Sequence, residues 1–201
     1  MRDGVSGQSA IGKAENCMPP LLSVFLEKQR YQVILPYLHG DILDLGCGYA
    51  KIVTRLKLGQ RYVGIEHQPA IVHWLLQNRP EYEFHQNDLD RDELVLDRQF
   101  DTVLMIAVIE HLDHPDHIFS QIPRCLKPDG RLVITTPSLV GGIVHKIGTR
   151  IRLFYREAAQ DHKTFFTYDS LRECLQRNHL RVMHHRKFLL GGNQLYVCQS
   201  S

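Results

Sequence analysis

Between positions 41 and 136 the sequence alternates short runs rich in β-branched residues and leucine with amphipathic stretches of helical length, and this alternation constrains the fold more than any other feature. Strands are expected near 41–45, 62–66, 82–85, 101–107 and 131–136, with helices near 49–58, 68–78 and 115–126 between them. Pro115 suits the first turn of the last of these helices. Units of this kind build a parallel sheet covered on both faces, with ligands gathering at the carboxyl ends of the strands. Upstream, the apolar residues of 21–38 recur at helical spacing, and Pro36 limits how far that helix can run. Downstream, a helix is expected over about 168–178 with Thr167 as its N-cap. Two further runs, 181–189 and 194–199, flank Gly191-Gly192-Asn193 and read as a hairpin. The expected architecture is α/β and doubly wound, a seven-stranded sheet that is mostly parallel with a C-terminal antiparallel hairpin.

A chain of 201 residues, 43% of them hydrophobic, fills one sizeable core, so a single domain over 1–201 is expected. Within it, 1–20 reads as a mobile arm, 41–136 as the ligand-binding core and 138–166 as a variable cover over the substrate. Lys and Arg number 24 against 22 Asp and Glu, a net charge of +2 that lacks the one-sided basic balance of a dedicated nucleic-acid binder. Five cysteines, odd in number and never spaced as CxxC, argue against a disulfide framework and a thiolate zinc site, and favour a reducing, cytoplasmic compartment. No 18-residue uncharged apolar run suggests a membrane span.

The segment Asp44-Leu45-Gly46-Cys47-Gly48-Tyr49-Ala50 ends a strand with an acid and then sets small residues at alternate positions. Glycines there permit a tight turn and let a ligand approach the backbone. A dinucleotide-binding fingerprint would want Gly or Ala at position 51, where this sequence has Lys51, which counts against a nicotinamide oxidoreductase. A second acid, Glu66, stands 22 positions beyond Asp44 at the end of the next strand, where a carboxylate can accept from both hydroxyls of a ribose.

The 44–50 segment resembles motif I of the class I S-adenosylmethionine methyltransferases, with Ala50 in place of the third glycine. Three later elements extend the resemblance: Gln86-Asn87-Asp88-Leu89, the run from Phe100 through Glu110-His111-Leu112, and Leu126-Lys127-Pro128-Asp129-Gly130. The resemblance implies a Rossmann-like fold, S-adenosylmethionine as cofactor and methyl transfer to an oxygen, nitrogen or carbon of a small molecule. It places Asp44, Gly46 and Gly48 around the methionine portion, Glu66 at the ribose, and Asp88 and Leu89 at the adenine, with Cys47, His67 and Ile106 also among the cofactor-binding residues. Asp90 is the alternative to Asp88 if the loop is shifted. The Glu-His-Leu element puts His111 where it can act as a general base, and His162, in a His-x-x-x-Phe element similar to that of quinone-biosynthesis O-methyltransferases, faces the substrate. That likeness leans toward aromatic or lipid-like acceptors.

His111, His114 and His117 recur every three residues, yet Pro115 interrupts them and no metal-binding spacing follows, so no metal is expected. Amino-methyltransferases acting on nucleic acid or glutamine carry Asn or Asp before Pro-Pro after the fourth strand, where this chain has Ala107-Val108-Ile109-Glu110, so a nucleic-acid partner is not expected. A non-catalytic scaffold on the same fold has no chemical need for three acids at three strand ends.

Overall fold

The computed structural model describes residues 21–138 and 166–201. The arm expected over 1–20 lies outside the described residues, as does the substrate cover apart from Ser138 and Phe166. The order is α1 (Leu21–Ile34), β1 (Ile42–Leu45), β2 (Tyr62–Glu66), α2 (Pro69–Asn78), β3 (Glu83–Gln86), β4 (Phe100–Ile106), α3 (Pro115–Cys125), β5 (Leu126–Pro137), α4 (Tyr168–Arg177), β6 (Leu180–Phe188) and β7 (Asn193–Ser200).

The seven strands form one sheet in the order β3-β2-β1-β4-β5-β7-β6. The first five run parallel, and β7 runs antiparallel between β5 and β6. Strand β1 is buried along its whole length, as expected of a central parallel strand with both faces covered. Two apolar clusters lie on opposite faces of the sheet. One gathers Ile34 of α1 with Ile42, Tyr62, Leu104 and Val133; the other gathers Leu43, Val103 and Ile134 with Ile118 and Phe119 of α3 and Leu171 of α4. Adjacent residues of a strand thus serve opposite clusters, the period-two division of a pleated strand.

Local chemistry sets the element ends. Gln68 precedes Pro69, whose fixed φ suits a first helical turn. Thr167 caps α4 as expected: its hydroxyl accepts from Ser170 N at 3.1 Å while Ser170 Oγ accepts from Thr167 N at 3.0 Å. The hairpin forms too, but its connection is Leu189 to Gly192, with Leu189, Leu190 and Gly191 all at positive φ, and Asn193 already belongs to β7.

One element differs from the sequence reading. In place of a helix over 49–58 there is a five-residue 3-10 turn, Lys51–Arg55. Ala50, at φ 48°, enters it from the left-handed region, and only Ile52 and Val53 are buried, too little apolar surface to hold a longer helix against the core. Strand β5 also starts earlier than expected, because Leu126 already pairs with Phe100 before an irregularity that carries the Lys-Pro-Asp-Gly turn.

Candidate active site

The carboxyl ends of β1, β2 and β4 converge on a cleft of about 280 Å³, lined among others by Gly46, His67, Asp88, Leu89, Val108 and His114. Its back wall is the turn after β1. Gly46 N and Cys47 N both donate to Ile65 O, at 2.8 and 2.9 Å, so the turn is pinned to the end of β2. Gly46 lies at φ 72°, and a Cβ there would stand 2.7 Å from Val108 Cγ2. Valine has little rotameric freedom to yield. Gly46→Ala is therefore expected to cost roughly 1–3 kcal/mol, from left-handed strain plus the clash, and to lower the thermal midpoint. A midpoint equal to wild type would show that the turn has another conformation available. A Cβ on Gly48 would by contrast meet nothing within 4 Å, which leaves that side of the turn open to a ligand.

Glu66 is the hub of the site. Its side chain is buried, its Oε2 accepts from Gly48 N at 3.0 Å, and its Oε1 accepts from Gln68 N at 3.0 Å and lies 2.9 Å from His67 Nδ1. A carboxylate offers about four acceptor positions, so these bonds fix its orientation and leave capacity for a ligand hydroxyl. His67 itself is largely exposed at the cleft mouth.

Asp44 is buried at 3% exposure, and its Oδ2 accepts from the Tyr62 hydroxyl at 2.7 Å. Burial pushes its carboxyl up to about 7, the charge of Glu66 pushes the same way, and the Tyr62 bond opposes both. The neighbouring Cys47 thiol is held far above its ordinary value, again by burial first, and is therefore a packing group rather than a nucleophile.

The two candidate adenine acids have different duties. Asp90 takes the backbone N–H groups of Asp113 (Oδ2, 3.1 Å) and His114 (Oδ1, 2.7 Å), tying the loop after β3 to the one before α3. Asp88 is half-exposed in the cleft; its Oδ1 accepts from Asp90 N at 3.0 Å, and Leu89 beside it is buried. Asp90 is thus a strut between two loops, while Asp88 carries its Oδ2 3.8 Å from Arg91 Nε; both line the cleft. Ile106 ends β4 partly buried, on the face shared with Leu104 and Cys47.

His111 closes the short 3-10 turn Ile109–His111 and donates its backbone N–H to Val108 O at 2.9 Å. His162 lies outside the described residues. His117 is engaged elsewhere, its Nε2 3.1 Å from Asp92 O and from Gln121 Nε2, and no group of three or more His, Cys, Asp or Glu is arranged to hold a metal among the described residues.

A second polar cluster at the same end of the sheet is not legible in the sequence. Glu110 is 1% exposed; its Oε2 accepts from Thr136 Oγ1 at 3.1 Å, and Oε1 has no hydrogen-bond partner among the described residues. Burial raises its carboxyl, and the positive charge of Arg30 on α1 opposes that rise. Arg30 Nε in turn donates to Asn193 Oδ1 at 3.1 Å. These residues are separated by up to 163 positions, and no local pattern announces that they meet.

A family model described as a methyltransferase domain matches residues 22–185. A ubiquinone biosynthesis O-methyltransferase of Rickettsia bellii is 30% identical over 99 residues, 48% of this chain and 41% of the relative, so the chain spans less than half the length of this curated relative. Among solved structures, a TehB-like SAM-dependent methyltransferase from Corynebacterium glutamicum superposes with a TM-score of 0.65 at 18% identity, covering 95% of this chain and 92% of that one. The glycopeptide N-methyltransferase MtfA, solved with S-adenosylmethionine, superposes with a TM-score of 0.65 at 15% identity, covering 87% and 86%.

Proposed function

The chain belongs to the methyltransferase-domain family, and from that membership and the geometry of its cleft we propose that it transfers the sulfonium methyl group of S-adenosylmethionine to an oxygen, nitrogen or carbon of a small-molecule acceptor. The observation that carries this reading is the placement of Glu66: a buried carboxylate locked to the Gly48 amide, at the end of β2, beside a turn with open space at Gly48 and between Ile65 and His67, which line the cleft together with Asp88. Such an acid accepts from a ribose diol. Asp88 would accept from the exocyclic amine of the adenine, with Leu89 and Val108 against the ring, and Asp44 would lie toward the α-amino group.

When bound, the cofactor supplies the electrophilic methyl group. The protein orients the acceptor in line with it, excludes water and removes a proton where the acceptor carries one. His111, at the end of the turn after β4, is the base proposed for that proton, and His162 is proposed to face the acceptor. The lean toward aromatic or lipid-like acceptors rests on the ubiquinone-pathway O-methyltransferase likeness. Four described cysteines are free thiols, which supports a reducing, cytoplasmic compartment, and no described helix is long and apolar enough to cross a membrane.

Calorimetric titration with S-adenosylmethionine and S-adenosylhomocysteine, beside a nicotinamide dinucleotide, tests the proposal. Micromolar binding of both sulfur compounds and none of the dinucleotide is expected, followed by methylation of catechols or quinone precursors in a labelled-methyl assay. Folded protein that binds neither sulfur compound would refute the proposal and leave a fold used only as a scaffold.

A further inference from the structure

We propose that Tyr62 is a positioning residue for cofactor capture: its hydroxyl donates to the buried Asp44 carboxylate and fixes it where the cofactor's α-ammonium group arrives, so that proton occupancy of Asp44 gates binding. The inference rests on the function proposed above.

Tyr62 opens β2, and the parallel register sets Ile42 beside Tyr62 and Asp44 beside Gly64. Asp44 therefore has no side chain opposite it on β2, and the ring of Tyr62 reaches along the strand past Gly64 to place its hydroxyl 2.7 Å from Asp44 Oδ2. Gly64 is itself closely packed: a Cβ there would meet Phe84 Cδ1 at 2.7 Å and Cys47 Sγ at 2.8 Å. Phe84 and Tyr82 brace the ring edge-on, at centroid distances of 6.0 and 5.6 Å. Tyr62 is itself buried at 3% exposure.

The groups facing Asp44 from other elements do not supply the positive charge that would hold it ionised. Cys47 of the turn and Tyr31 of α1 are neutral, and Glu66 of β2 is acidic. Tyr31 donates to Glu27 at 3.1 Å and Glu27 accepts from Lys51 at 2.9 Å, so that cation is already paired at the surface, while Arg30 of α1, whose charge acts on Tyr31, Glu27 and Glu110, donates to Asn193. An uncompensated buried carboxylate takes up a proton unless a donor stabilises its charge. Tyr62 is the donor that opposes this uptake in the ligand-free chain, and an arriving ammonium group completes the charge balance. A protonated Asp44 offers the ammonium no charge.

The test compares wild-type protein with Tyr62→Phe by calorimetry, using S-adenosylhomocysteine and 5′-methylthioadenosine, which carries the adenosine and lacks the amino-acid portion. Wild-type affinity for S-adenosylhomocysteine is expected to fall by up to about tenfold per pH unit below the Asp44 midpoint, while methylthioadenosine binding stays level across the same range. Tyr62→Phe should bind S-adenosylhomocysteine about tenfold more weakly at neutral pH, with the deficit closing toward about pH 9, where Asp44 ionises without help. Equal weakening of both ligands, or a deficit of the same size at every pH, would reduce Tyr62 to a packing residue and overturn the inference. Should the phenylalanine variant not fold, Asp44→Asn decides. It should bind S-adenosylhomocysteine weakly and without an acid limb, and a wild-type profile that is itself flat through the acid range would overturn the gate. Folded wild-type protein that binds neither ligand would defeat the cofactor reading itself, and this inference with it.

Discussion

Replacing Glu66 by alanine is expected to weaken S-adenosylmethionine binding by two to three orders of magnitude, roughly 3–4 kcal/mol. Losing hydrogen bonds from a ribose diol to a charged acceptor accounts for about 1.5–3 kcal/mol of this. The remainder comes from the free protein. Glu66 fixes Gly48 N and Gln68 N at 3.0 Å each, so its removal also releases the glycine turn and the first residue before α2. Two donors are then left to find other partners, and the cleft loses part of its preorganisation. Glu66→Gln separates these contributions. It keeps one oxygen acceptor and most of the volume, so it should retain the fold and lose about 1.5–3 kcal/mol of binding. Calorimetry on both variants, each shown to melt cooperatively, checks the result; alanine-variant affinity equal to wild type would place the ribose elsewhere.

Asp44→Asn is expected to do two opposed things, to stabilise the ligand-free chain at alkaline pH and to impair cofactor binding. The sign follows from linkage. The folded chain holds the Asp44 proton up to about pH 7, whereas the unfolded chain releases it near the ordinary aspartate value of about 3.9. Between those values the native state binds more protons than the unfolded state, so the Asp44 contribution to stability falls as pH rises, and above the upper value the full penalty is present. Asparagine removes the ionisation and can still accept from Tyr62. The variant should gain about 2–4 kcal/mol at pH 8, with the gain shrinking toward zero near pH 4, as read from denaturant midpoints across that range. A gain independent of pH would mean that Asp44 is not the group responsible. The opposed effects are the signature of a residue kept for binding at a cost in stability.

Much of this was legible in the sequence because parallel strands announce themselves locally. The 62–66 run and its terminal acid stand out by composition and by spacing from Asp44, and both ends match the observed β2. The turn after β1 was half legible. Its glycines predicted an open backbone, but Ala50 gave no warning of its left-handed φ, and the apolar positions 52, 53 and 56 imitate a helical face that the core does not accept. What stayed hidden depends on register and on distant contacts. Tyr62 reads as the ordinary opening residue of a strand until β1 is laid beside it with Asp44 opposite Gly64. Asp88 is the sequence's first choice and Asp90 its alternative for a shifted loop, and nothing local announces that the 113–114 backbone reaches Asp90. The Arg30, Glu110 and Asn193 cluster draws on α1, the turn after β4 and the start of β7, and its chemistry exists only in the assembled sheet.

The position of β7 bears on how such a chain is made. The last strand in chain order is interior in the sheet, between β5 and β6, and it pairs with β5 from Leu132 to Pro137. During synthesis on the ribosome the other six described strands emerge before it. Until residues 193–200 follow, β5 lacks its pairing on this side and β6 has no strand partner among the described residues, the kind of exposed edge on which nascent chains associate with one another. Asn193 and Gln194, at the start of that strand, close the gap and also bind Arg30 and the carbonyl of Phe166, at 3.1 Å in each case. The bonds that tie α1 and the residue before α4 to the sheet are therefore completed by the same event that pairs the open edge of β5.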